Sequence, residues 1–513
     1  MKPGERGGRS LKGACGVFTC LLLLACEPEI PVARVLPPTP EAEQPPLQDG
    51  QPPPQAGQPP PPVQPPPPDE PTPSDPPPAE PPPPEPSGRS WYVSTKGSDG
   101  AKGTREAPLR TIGRAAALAS PGEVIRVLPG VYPEELVLES RGSGVAPITL
   151  RGEGSPRPTL APADRARSTV IRVRGRWTLD NLQIDVGGAP MFAVIFDSGA
   201  SQSVLSGSEL KSGTTSAGVL VDGARDITLL RNTIHHFNKP GDDSHGVVVV
   251  GPSRNITLRD NDIHHNSGDS IQCQAGSAPA EGVLIEGNTL HDEGENGVDI
   301  KQCHRVTVRD NVLFGFPNTA IRPSGSSAGE AVLIQQFARD ILVQGNSISR
   351  AGRGVSVLGG DSPPENVSVM DNHLQEIRNI PEGNGQGIRI ESARNARVEG
   401  NLVEGTASYG LMLAADGRVI TGLVVRNNTV RSGSQRLLLR LGDAPFRPGL
   451  LMQENLYASD GILKADAVTD RLDGDLVRFL EDFPGDRLTL SSQEKLEVWQ
   501  QVIGVDQGSG LLE

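Results

Sequence analysis

Lys301 and Arg322 are the residues whose types and spacing could together do chemistry in this sequence. Removing a proton α to a carboxylate, then expelling a glycosidic oxygen by β-elimination, needs a base. It also needs a cation to neutralise the carboxylate so that the enolate can form. Lys301 could be the base if neighbouring cations and partial desolvation lower its pKa. Arg322 could clamp the carboxylate with two parallel hydrogen bonds. Asn296 and Asp299 stand in the same segment as Lys301, with Asp269, Gln272 and Gln274 before it and Ser324, Arg353, Arg389 and Glu391 after it. Amides, acids, one lysine and several arginines on one face suit an acidic polysaccharide. Gln272, Gln274, Asn296, Arg353, Arg389 and Glu391 would then bind substrate. The plainer alternative is a solvated sheet face, with Lys301 paired to Asp299 or Asp269.

Three further clusters invite a metal or a bond. Asp269, Glu295 and Asp299, in loops that also carry Asp242-Asp243 and Asp292-Glu293, could offer oxygens to Ca²⁺, which takes six to eight of them. His235, His264 and His291 form one column and His236, His265 and Asp292 a second. Stacked imidazoles could bind zinc, but aligned positions in a repeat tend to carry the same residue, which is the simpler origin. Cys273 and Cys303 align about one rung apart but three places out of register, which exceeds disulfide reach, so two thiols are expected.

The element that must position these groups is a repeat. Arg225-Asp226-Ile227-Thr228-Leu229-Leu230-Arg231-Asn232 returns as Arg254-Asn255-Ile256-Thr257-Leu258-Arg259-Asp260-Asn261, with further copies ending at Asn288, Asn311, Asn346, Asn372, Asn401 and Asn428. Most spacings lie between 23 and 29 residues, with one of 35 between Asn311 and Asn346. Each unit has a strand before the Asn, a short strand after it, and a third such as Gly297-Val298-Asp299-Ile300-Lys301. Three short strands per coil describe an all-β solenoid, a right-handed parallel β-helix. A propeller needs longer units, and a leucine-rich repeat would show a Leu ladder. The Asn amides should stack from coil to coil at a turn. In the third strands side chains alternate, so Val298 and Ile300 point inward and Asn296, Asp299 and Lys301 outward. Arg322 and Ser324 fall on the next coil in this alignment.

Both ends depart from the repeat. Residues 91–94 read as a strand and residues 108–119 as a cap helix with Leu109, Ile112, Ala116 and Ala119 on one face. After residue 454 the pattern lapses, and Ser491-Ser492-Gln493-Glu494 is a capping-box pattern before a helix through residue 503, so residues 455–513 read as a helical cap, with another helix starting near residue 477. At the other end, Lys2, Arg6, Arg9 and Lys12 precede a short apolar stretch, residues 17–24, too short to span a bilayer. Residues 26–88 are dense in proline, a disordered stalk of polyproline II character that would reach about 190 Å at about 3.1 Å per residue.

Leu23-Leu24-Ala25-Cys26 resembles a bacterial lipobox. The resemblance implies cleavage after residue 25, acylation of Cys26, and an exported, lipid-anchored protein of the bacterial cell envelope. Residues 89–454 are the β-helix domain, and their first block, with Pro129-Gly130-Val131-Tyr132, looks like the N-terminal cap and first coil of pectate-lyase-like proteins. The layout from Lys301 to Asn311, followed by Arg322, is similar to that of β-helix alginate and chondroitin lyases, which use a Lys and an Arg on adjacent coils. That likeness implies a uronate lyase. A non-catalytic glycan-binding or structural surface protein and a uronate epimerase remain open. The net charge of −14, without a basic cluster, excludes nucleic acid. The partners expected are an acidic polysaccharide and the membrane that holds the anchor, with the chain a monomer.

Overall fold

The computed structural model describes residues 88–139, 146–322, 327–380, 383–414, 418–442, 449–466 and 487–512. The expected signal segment, Cys26, the expected stalk up to residue 87, Ser324 and the helix start expected near residue 477 lie outside them. The described strands form three sheets of fifteen, fourteen and fourteen strands, and successive coils add one strand to each. On the first sheet Ile227, Ile256, Val283, Val306, Ile341 and Val367 follow one another in register. Ile234, Ile263, Leu290, Leu313 and Ile348 do so on the second. Val247, Ile271, Val298, Val332, Val355 and Ile388 do so on the third. All these side chains are buried, each contributing about 1.5–3 kcal/mol of apolar transfer. Branched aliphatics suit strands and fill these columns, so few aromatic residues suffice, and Trp177, Phe196, Phe237 and Trp499 are themselves buried.

The repeated Asn sits at the turn between first and second sheets. Asn261 shows the geometry. Its Nδ2 donates to Leu229 O and to Asn288 Oδ1, both at 2.9 Å. Its Oδ1 accepts from the Asn232 amide at 3.0 Å and from Asn232 Nδ2 at 2.9 Å. Every polar atom of the side chain is satisfied, as a buried amide requires. The ladder runs on to Asn455. The residue before each Asn is left-handed: Asp260 (φ 56°), Gly287 (φ 65°), Asp310 (φ 56°) and Gly345 (φ 65°). Gly and Asp tolerate that region, which explains the recurrent Asp-Asn and Gly-Asn pairs.

Both caps differ in detail from the sequence expectation. The first helix spans Ile112–Leu118, starting later than residue 108. Thr111 caps it, accepting from the Arg114 amide at 3.2 Å, while Asp99 takes the amides of Arg110 and Thr111 at 3.0 and 2.9 Å. At the far end the coil does not stop at residue 454. Leu451–Gln453, Leu456–Ala458 and Ile462–Ala465 complete another turn. The strand Arg487–Thr489 then pairs antiparallel with the last of these, and a helix over Gln493–Ile503 buries Leu496, Trp499, Val502 and Ile503. Ser492 is its N-cap residue but makes no side-chain capping bond. Asp506 closes the ladder, accepting from Asn455 Nδ2 at 3.0 Å, Tyr457 OH at 2.9 Å and Trp499 Nε1 at 3.2 Å.

The cysteine expectation is wrong. Cys273 and Cys303 form a disulfide with Cα atoms 6.3 Å apart. Cys273 lies opposite Ile300, so along a straight strand Cys303 would be out of reach. Gln302, at φ 60°, turns the chain at the corner and brings Cys303 back into the core.

Candidate functional site

The third sheet and the loops that enter it hold the chemically richest cluster. Its strands His245–Val250, Ile271–Gln274, Val298–Lys301, Glu330–Ile334, Arg353–Val357 and Gln386–Ile390 stack in that order. Gln272 lies beside Asp299 and Gln274 beside Lys301; Asp299 in turn faces Leu333. The strand after Lys301 is therefore Glu330–Ile334, and Arg322 is not on it. Pro323 could not donate within a central strand, whereas Ala331-Val332-Leu333-Ile334 is an apolar run that fits. Residues 317–322 leave the strand Val312–Phe316, and from them Arg322 reaches Asp243 and, at 2.9 Å, Glu295.

Outward-facing does not mean solvated here. Asp299 has a side chain only 3% exposed. Lys301 Nζ meets its Oδ2 at 2.8 Å, and Gln335 Nε2 donates to its Oδ1 at 3.0 Å. Asp269 is wholly buried and its oxygens are spoken for: Oδ1 accepts from the Asn296 amide at 3.1 Å and from Asn296 Nδ2 at 3.0 Å, and Oδ2 from Gln272 Nε2 at 3.2 Å. Asn296 Oδ1 accepts in turn from Ser327 Oγ and the Glu330 amide. His245 Nδ1 lies 3.2 Å from Asp269 Oδ2 and 2.9 Å from the Asp269 amide nitrogen. The charged ring can donate to the carboxylate; only the neutral ring can accept from the amide.

Charge density sets the protonation of the group. Burial pushes Glu295 up to about 8, helped by Asp269 and Asp243 and opposed by Arg322. Burial, with Asp269 again, pushes Asp299 up to about 7 against the pull of Lys301. For Asp269 burial acts upward as well, but His245 and Lys301 outweigh it and the pKa falls. The condition set for Lys301 as a base fails. Burial would lower its pKa, yet Asp299, Asp269 and Glu295 outweigh burial and raise it. Its neighbours are anions, not cations, so Lys301 is an ammonium.

Lys301, Asn296, Glu295, Asp299 and Arg353 meet around a cavity of about 430 Å³, with Asp243, Ser327, Glu330 and Gln335. Arg353 pairs there with Glu330 at 2.8 Å. Gln272 and Gln274 belong to the coil before and do not line it. Arg389 and Glu391 lie beyond Arg353, bonded to each other at 2.5 Å, with Glu391 also held by Arg418. Sequence reasoning missed His245, Glu330 and Gln335. His245 and Glu330 open strands of the third sheet, and aligning those first residues would have found both. The proposed calcium ligands do not fit an ion. Asp269 is saturated by protein donors, Asp299 is occupied by Lys301 and Gln335, and among the described residues these acids do not gather three ligand atoms within 4.8 Å.

The sequence matches the family described as right handed beta helix region over residues 170–336 and 324–444, more than half of the chain. The chain belongs to the right-handed β-helix family. Residues 95–139 of this β-helix protein match a second family, described as a protein of unknown function, DUF1565. Over 65 residues the chain is 40% identical to the uncharacterized protein YwoF of Bacillus subtilis (strain 168), covering 13% of this chain and 14% of that one. Among solved structures it is similar to the PL6 family alginate lyase AlyGC, with a TM-score of 0.53 and 17% identity, covering 68% of this chain and 50% of that one. It is also similar to the catalytic unit of a GH87 alpha-1,3-glucanase from Streptomyces thermodiastaticus strain HF3-3, with a TM-score of 0.47 and 16% identity, covering 70% and 64%. The neighbours thus include a polysaccharide lyase and a glycoside hydrolase, and the chain spans half of the lyase and under two thirds of the glucanase. Within this β-helix protein the cavity offers two carboxyls that titrate near neutrality beside a fixed ammonium. Such a pair can take and return a proton at ordinary pH.

Proposed function

We propose that the protein processes an acidic, uronate-containing polysaccharide by β-elimination in the cavity around Lys301. The observation that carries this reading is the placement of Glu295 and Asp299, with pKa values near 8 and 7, beside the Lys301 ammonium in one cavity. Lys301, 40% exposed, takes the substrate carboxylate and stabilises the enolate; Arg353 in the cavity wall and Arg322, bonded to Glu295, add positive charge. The ionised fraction of Glu295 removes the proton α to the carboxylate. The electrons form the ring double bond as the glycosidic C–O bond breaks, and the leaving oxygen takes a proton from the acid form of the same carboxyl or from water. Asp299, beneath Lys301, holds the ammonium in place. In this reading Lys301 is the cation and not the base, and the reaction needs no metal in the cavity. Cys26 would anchor the protein in the cell envelope, with the proline-rich segment as spacer.

A second reading rests on charge. Asp243, Glu295, Asp299 and Glu330 outnumber Lys301 and Arg353 around the cavity, an imbalance that favours a neutral glycan and hydrolysis, with Glu295 as general acid. One experiment separates the two. The full-length protein is incubated with alginate, pectate, glycosaminoglycans and neutral glucans, and both unsaturated-uronate absorbance and new reducing ends are followed. Absorbance that Glu295→Gln abolishes supports elimination. Reducing ends without absorbance mean hydrolysis. Neither signal, together with retained polymer binding, means a non-catalytic glycan-binding protein.

A further inference from the structure

The histidine columns lie outside the cavity, and stacking alone does not account for them. His235, His264 and His291 pair in register on the second sheet, between Lys211 before them and Phe314 after them. Their rings stack at 5.0 and 4.8 Å, and Phe314 extends the stack at 4.8 Å. An aromatic ring of any kind would serve that column. The second column is different. His236, His265 and Asp292 each follow a first-column histidine in the left-handed region, at φ 57°, 58° and 55°. That turn swings each side chain back against its neighbour, edge-on for the two histidines. His235 and His236 bring their Nδ1 atoms to 2.6 Å, and His264 and His265 to 2.9 Å. In the third rung His291 Nδ1 meets Asp292 Oδ2 at 2.8 Å.

Repetition does not explain the composition. Ser349 and Gln375 continue the first column beyond Phe314, and Gly315, Arg350 and Glu376 continue the second. Five of the eight histidines of the chain occupy three consecutive rungs. Between two Nδ1 atoms at hydrogen-bond distance only one proton fits, whereas a metal ion uses both lone pairs.

We propose that His265, His291 and Asp292, with His264 beside them, form a binding site for a divalent transition-metal ion of the zinc or copper class. His265, His291 and Asp292 bring one ligand atom each to within 4.8 Å of one another. Nitrogen and carboxylate donors select zinc, copper or nickel over calcium. A second observation points the same way. His291 Nε2 lies 3.1 Å from Asp262 Oδ1, the outer carboxylate that orients a ligating imidazole by taking the N–H of its other nitrogen. Two rungs earlier, His235 Nε2 has Glu209 Oε1 at 3.4 Å in a similar arrangement. The ion cross-links two coils at the root of the cavity loops, since Asp269 follows His265 by four residues and Glu295 follows Asp292 by three.

The test uses the full-length protein, stripped with chelator and with Cys15, Cys20 and Cys26 alkylated so that thiols do not compete. Zn²⁺ is titrated by equilibrium dialysis, and Co²⁺ serves as a visible-absorbance reporter of the ligands. The expected result is one ion per chain and a higher Tm with the ion bound. His265→Gln and Asp292→Asn should each weaken binding by more than about tenfold, since even outer-sphere partners are worth about 10–100-fold. His304→Gln and His373→Gln should leave it unchanged. Circular dichroism of the metal-free variants establishes that they fold. Stoichiometric binding that survives in the folded His265→Gln/Asp292→Asn double variant would overturn the proposal, as would no binding by the unaltered chain at submillimolar Zn²⁺.

Discussion

Replacing Glu295 with glutamine should make the protein more stable in mild alkali and leave it unchanged in acid. The side chain is 15% exposed and bonded to Arg322. Its folded pKa is pushed from 4.5 to about 8, by burial first and then by Asp269 and Asp243. A carboxyl whose pKa is raised by folding is harder to ionise in the folded chain than in the unfolded one. Its favourable contribution is complete below the unfolded pKa and is lost as pH rises through the folded value. The window is thus about pH 4.5 to 8. At about 1.36 kcal/mol per unit, the full shift corresponds to about 5 kcal/mol. Asp299, raised to about 7 in the same cluster, can take up part of the strain by binding a proton itself, so about 2–4 kcal/mol is the share expected in the substitution. Glutamine keeps the shape and still accepts from Arg322, and the attraction to Arg322 is already contained in the shifted pKa. Urea unfolding followed by circular dichroism at about pH 5 and about pH 8.5 measures the difference. The wild type should lose more stability than Glu295→Gln between the two. Parallel losses would refute the assignment of the raised pKa to Glu295.

Lys301→Ala should reduce turnover by at least about a hundredfold, the effect of removing one preorganised charge from a developing anion; an unaltered rate on the responsive polymer would place the chemistry elsewhere. Asn311→Ala should destabilise the fold by about 3–5 kcal/mol, because the Asn288 amide and the Ile285 carbonyl lose their partners at 2.9 and 3.0 Å in a buried site. An effect under about 1 kcal/mol in the unfolding midpoint would show that the ladder is replaceable by water. Cys273→Ser/Cys303→Ser should cost about 3–4 kcal/mol, the loop entropy of a 30-residue closure, and thiol titration of the unfolded, unreduced chain should find neither Cys273 nor Cys303.

The parts of this molecule that were legible in its sequence are those repeated in every rung. Asn261 and its equivalents announce themselves by spacing, and the alternation of Val298 and Ile300 with Asp299 and Lys301 assigns faces without a structure. Depth was not legible. Alternation places Asp299 on the outer face, but only the next coil, through Gln335 and Leu333, decides that it is buried. The position of Arg322 was hidden for a related reason. A spacing of 35 residues shows that something is inserted, not where the strand resumes. The sign of the Lys301 shift needed the identities of the groups within a few ångströms, and those come from Glu295 and Asp269, on different segments. Cys273 and Cys303 were misjudged because register was counted along a straight strand that turns a corner at Gln302.

A solenoid builds each coil on the same terms, so the coils that depart from the repeat are where selection has acted on something other than stacking. Here the departures coincide. The longest insertion, the disulfide, both histidine columns and all of the cavity lining but Arg353 fall between Asn232 and Asn346. The same coils hold Glu293, fully buried and raised well above its ordinary pKa by burial. It accepts from the Asn266 amide at 2.5 Å and from Ser270 Oγ at 2.9 Å. Its location between the histidine column and the loop that carries Glu295 ties the two together through backbone contacts. Neighbouring coils need none of these devices to stack, as the plain aliphatic columns beyond Asn346 demonstrate. Polar groups buried at such density are costly unless they hold something in a fixed geometry. What they hold in place is the set of loops bearing Asp243, Asp269 and Glu295, and the proton transfer proposed for Glu295 would gain most from that rigidity.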